Sequence, residues 1–77
     1  MTKAFDVSQD QPAMYFETVM GYRYRLTGFR RTEDGRLQWL LGYRIDSNGL
    51  RFETSRTPGE LTPESLAPIS EYSRRTP

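Results

Sequence analysis

Two dipeptides, Asp34-Gly35 and Asn48-Gly49, separate three runs in which large apolar residues alternate with polar ones. Both are hairpin signals, because glycine takes a positive φ without a Cβ clash. In the first run Tyr22, Tyr24 and Leu26 alternate with Arg23, Arg25 and Thr27. In the second, Leu37, Trp39, Leu41, Tyr43 and Ile45 alternate with Gln38, Leu40, Gly42 and Arg44. In the third, Leu50, Phe52 and Thr54 alternate with Arg51, Glu53 and Ser55. A period of two over such lengths predicts half-buried strands. Residues 21–56 therefore read as a three-stranded antiparallel meander. Gly28 breaks the first run just before Phe29, which predicts a bulge that returns Phe29 to the core side. Gly42 predicts a bend or a close backbone approach.

The flanks are less regular. Residues 13–20, AMYFETVM, alternate over a span too short to separate strand from helix; their aromatic and β-branched content favours a strand. Residues 1–12 read as a flexible lead. Near the other end, Thr62-Pro63-Glu64 predicts one helical turn. Thr62 would be its N-cap, Pro63 its first residue, and Glu64 would lie near the positive helix end. Pro68 is expected to stop that turn, and residues 69–72 to form a short closing strand. Residues 73–77 read as a frayed tail. A single domain over 13–72 follows: mainly β, an antiparallel meander with one short helical turn near the C-terminus. A helical turn before a last strand resembles SH3-like barrels, which implies closure into a small, partly open barrel.

Chemistry is constrained by what is missing. The 77 residues contain no Cys and no His. Disulfides and Cys/His zinc sites are excluded, as is the usual base for a serine nucleophile. The one Lys, Lys3, lies in the expected lead. The acids fall in turns (Glu33, Asp34, Asp46) or beside the helical turn (Glu60, Glu64), and no glycine-rich phosphate loop occurs. No catalytic activity, cofactor or metal is expected. The start lacks the apolar run of a signal peptide, and no apolar stretch approaches the ~20 residues that span a bilayer. A soluble cytoplasmic protein without membrane contact is the expectation. A domain of this size buries only about 60% of its extended surface, so a homodimer is left open.

What remains is charge pattern. Net charge is +1, yet residues 20–56 hold eight Arg against four acids. Alternation puts Arg23, Arg25, Arg44 and Arg51 on the outer side, where Glu53 would pair with one of them. It puts Tyr22, Tyr24, Trp39 and Phe52 in the core. Leu40 falls on the outer side too, with Tyr15 and Val19 as apolar company. The expected function is a non-catalytic binding module acting on a protein partner, as adaptor, inhibitor or regulator of a larger complex. Its expected contact residues are Arg23, Arg25, Arg44, Arg51, Tyr15 and Leu40. The alternative is a nucleic-acid-binding accessory protein using the arginine-rich face. That reading is weakened because alternation hides most of the rings on which bases would stack, leaving Tyr15 with Tyr43 or Tyr72.

Overall fold

A computed structural model describes residues 3–7, 12–45 and 47–76. They form five antiparallel strands, β1 (Lys3–Asp6), β2 (Tyr15–Glu17), β3 (Arg23–Arg31), β4 (Leu37–Ile45) and β5 (Arg51–Arg56). A 3-10 turn (Pro58–Glu60) and one helix, α1 (Pro63–Arg75), follow. The order across the sheet is β1-β3-β4-β5, and β2 pairs with β3 as well. Strands β1 and β2 share one edge of β3: Phe5 pairs with Phe29, and Phe16 with Tyr24. Between them, Val7 N–H donates to the Thr27 carbonyl and Leu26 N–H to the Met14 carbonyl. β1 and β2 thus continue along the same edge of β3. Residues 3–6 lie in the stretch read as a flexible lead, where their pattern offered no strand; residues 8–11 of that stretch lie outside the described residues.

The three-strand meander is present, with both turn glycines at positive φ, +85° at Gly35 and +83° at Gly49. The first turn is tied by Thr32, whose N–H donates to the Arg36 carbonyl and whose hydroxyl accepts from Arg36 N–H. Two compensating irregularities then set the faces. Thr27 is an extra residue on β3, because Leu26 pairs with Gly42 while Gly28 pairs with Leu41. Gln38 is an extra residue on β4, because Arg31 pairs with Leu37 while Arg30 pairs with Trp39. The first is the bulge expected at Gly28, and it does return Phe29 to the core. The second reverses every side chain after it.

The core face is consequently not the one alternation suggested for β4. Leu40 is wholly buried opposite Phe29, and Gly42 opposite Leu26. Gly42 must be glycine: a Cβ there would stand 2.7 Å from Phe16 Cε1 and 2.8 Å from the Arg25 carbonyl. The core is completed by Val7, Phe16, Tyr24, Leu26, Phe29, Leu61 and Ile69. Phe5 stacks on Phe29, and Phe16 on Tyr24. Cross-strand rings of this kind are the usual unit of sheet stabilisation.

The C-terminal third departs most from expectation. Instead of one turn stopped at Pro68 and a closing strand, a helix of 13 residues runs to Arg75 with Pro68 inside it. The expected start is there: Thr62 caps it, its hydroxyl accepting from Ser65 N–H, and Pro63 opens the first turn. The helix lays Leu66, Ile69, Tyr72 and Ser73 on the inner face, with Tyr72 edge-on to Phe29. Arg31 Nη1 donates to the Ser73 carbonyl at 2.7 Å. The segment leading into the helix crosses to the opposite edge. There Leu61 bridges Thr18, Val19 N–H donates to the Glu60 carbonyl, and Thr62 N–H to the Glu17 carbonyl. The sheet itself stays open; the molecule is a five-stranded antiparallel sheet with one C-terminal helix.

Candidate functional site

Because α1 packs on part of the inner face, the outer face of the sheet is left uncovered. Cross-strand partners share a face, so the register itself assigns its residues. Tyr15 pairs with Arg25, Arg25 with Tyr43, and Tyr43 with Glu53. Glu17 pairs with Arg23 and Ile45 with Arg51; further along, Asp6 pairs with Gly28, Gly28 with Leu41, and Arg30 with Trp39. Arginines and aromatic rings are therefore interleaved on one surface. Tyr15, Arg23, Arg25, Tyr43, Arg44 and Ile45 enclose a shallow hollow of about 390 Å³.

The arginines do not simply extend into solvent. Arg23 lies over Tyr15 at 4.7 Å, Arg51 over Tyr43 at 3.8 Å and Arg30 over Trp39 at 4.9 Å. A guanidinium over a ring face is attracted by the ring quadrupole without using up its N–H donors, which can still meet a carboxylate or phosphate. Arg51 also pairs with Glu53 at 3.3 Å, the contact expected for that acid. Arg30 keeps its Nε–H buried and without a hydrogen-bond partner among the described residues. Four arginines (Arg23, Arg25, Arg30, Arg51) face three acids (Asp6, Glu17, Glu53), so the surface carries a net of only +1.

Of the six residues expected at the site, Tyr15, Arg23, Arg25 and Arg51 do share this surface. Two do not. Leu40 is 0% exposed in the core, because the extra residue at Gln38 turns it inward. Arg44, reversed by the same irregularity, pairs with Phe52 on the inner face; it borders the outer hollow, but its guanidinium lies over Tyr22 at 4.6 Å and Phe52 at 5.6 Å. The rings assigned to the core divide as well. Tyr24 is buried, Trp39 stands on the outer face, and Tyr22 and Phe52 are 47% and 45% exposed. Sequence reasoning missed Trp39, Ile45 and Arg30 as surface partners of the arginines, and left Tyr43 only as one candidate stacking ring. The signal that could have found them is Gly42, whose missing side chain fits a packed face better than a solvated one.

Acid–base chemistry is little developed. Asp34 is held below its ordinary value, first by the Thr32 hydroxyl that donates to it and then by Arg36, whose Nε–H donates to it at 3.0 Å. It lies at the exposed hairpin tip. Among the described residues, no group of three or more His, Cys, Asp or Glu lies close enough to hold a metal ion, and no helix is long and apolar enough to cross a membrane. In comparison with known proteins, no family model matches the chain, and neither does any curated protein or solved structure.

Proposed function

We propose that the chain is a non-catalytic binding module that engages a protein partner through the outer face of its sheet. The carrying observation is the composition of that uncovered face: ring-stacked Arg23, Arg30 and Arg51 beside exposed Tyr15, Leu41 and Ile45. Arg, Tyr and Trp are the residue types that dominate binding energy at protein interfaces. Aliphatic Ile45, 62% exposed, and the near balance of four arginines and three acids suit a mixed protein surface. Adaptor, inhibitor and regulator of a larger complex all remain open under this reading.

A second reading is favoured by one observation, that Tyr15, Tyr43 and Trp39 stand on the arginine face. Rings beside guanidiniums on an open sheet suit single-stranded nucleic acid, which binds by stacking plus phosphate contacts. One experiment separates the two. Capture from the native host should recover a stoichiometric protein that is lost in Arg23→Glu and Tyr43→Ala. Retention of the partner by both variants would remove this face from the interface. Binding of a single-stranded oligonucleotide, weakening steeply with salt, would favour the second reading.

A further inference from the structure

The inner face is only partly covered. Helix α1 closes over the end near β1, leaving the end toward the β4–β5 hairpin open. There Val19, Met20 and Leu50 are 65%, 80% and 60% exposed, beside Tyr22 and Phe52. In their midst stands Arg44, half-buried, with the Tyr22 and Phe52 rings against its guanidinium. Among the described residues the Arg44 side chain makes no hydrogen bond or ion pair; its guanidinium contacts are the two rings. Next to it, sharing Tyr22, is a hollow of about 260 Å³ lined by Thr18, Val19, Met20, Tyr22, Arg56 and Glu60.

We propose that this open end is a second binding site, for a polypeptide segment of a partner protein carrying an apolar side chain beside a carboxylate. The chemistry is two-point. The hollow against Val19, Met20 and Tyr22 takes the apolar side chain. The Arg44 guanidinium takes the carboxylate, since its contacts to Tyr22 and Phe52 are cation–π contacts that use none of its N–H donors. Two ring contacts hold the guanidinium in place before a ligand arrives, which reduces the ordering needed on binding. The neighbouring cation, Arg56, is already engaged by Glu60 at 3.4 Å and by the Tyr24 hydroxyl, so Arg44 is the cation left to complement an incoming acid. A nucleic acid would find one such cation amid apolar side chains; a protein segment finds both of its needs. The site is independent of the outer face and stands whether or not that face binds a protein.

The test is an NMR titration of the full chain with acetyl-Leu-Glu-amide and, in parallel, acetyl-Leu-Gln-amide. The acidic peptide should shift the Val19, Met20, Tyr22 and Phe52 amides and the Arg44 Nε–H, binding about tenfold more tightly than its amide counterpart, the scale of one charge-assisted contact. Arg44→Gln should abolish that difference while leaving weak apolar binding. Arg44→Lys, which keeps the charge but not the planar fork, should retain part of it and serves if the glutamine variant does not fold. Equal binding of the two peptides, no binding of either, or shifts confined to Tyr15 and Tyr43 would overturn the proposal. So would a dimer in light scattering that is lost in Phe52→Ala, because a second copy would then cover this end.

Discussion

At the residue scale, neighbouring leucines on one strand have opposite fates. Leu40→Ala should cost about 2–5 kcal/mol, the range for a buried leucine cavity, whereas Leu41→Ala on the outer face should cost less than about 1 kcal/mol. Denaturant midpoints of the two variants check the reversal of β4 directly; equal losses would contradict it. Gly42→Ala should destabilise by about 1–3 kcal/mol, because the added Cβ meets backbone as well as the Phe16 ring. Asp34 gives a pH prediction. Its pKa is lowered in the fold, so its contribution to stability is present above the ordinary value of 3.8 and is lost as pH falls through the lowered one. Carboxyl titration by NMR should show Thr32→Val moving Asp34 back upward, since the Thr32 hydroxyl is the largest cause of the lowering.

At the element scale, the helix shows how packing overrides a local stop signal. Pro68 lacks an N–H for the preceding turn, and an interior proline is about 3 kcal/mol less favourable than alanine. The helix continues because Ile69, Tyr72 and Ser73 lie on the sheet and are buried or half-buried there. Pro68 itself is exposed, so its ring contributes little packing. Pro68→Ala should therefore raise stability by about 1–3 kcal/mol, read as a higher melting temperature with the same fold. At the other end Thr62→Ala removes the cap to Ser65 and should cost about 1 kcal/mol.

At the scale of the whole molecule, one helix on one side of an open sheet creates two unlike surfaces. Truncations on the covered and uncovered sides should separate them. Ile69→Ala should cost about 2–5 kcal/mol, since Ile69 is 1% exposed between helix and sheet. Ile45→Ala on the outer face should stay within about 0.5 kcal/mol while weakening partner capture. Parallel melting and capture measurements on the two variants would reverse the assignment of faces if Ile45 proved the more costly. A comparable loss of stability in both would mean that the outer face is packed.

The amino-acid pattern alone determined the three-strand meander, its two glycine turns, the bulge before Phe29 and the cap at Thr62. Each of these is a local matter: a φ only glycine adopts readily, a period of two, a hydroxyl three residues before an orphan N–H. Tertiary structure decided which side of β4 became core. Alternation pointed to the face of Leu37, Trp39, Leu41, Tyr43 and Ile45, with Leu40 alone as a large apolar residue on the other, yet one extra residue at Gln38 turned Trp39, Leu41, Tyr43 and Ile45 outward. The same reversal carried Leu40 and Arg44 to the inner side and set the remaining arginines among exposed rings. It likewise decided that the chain past Pro68 is helix, because burial against a distant sheet outweighs a local penalty that sequence can see.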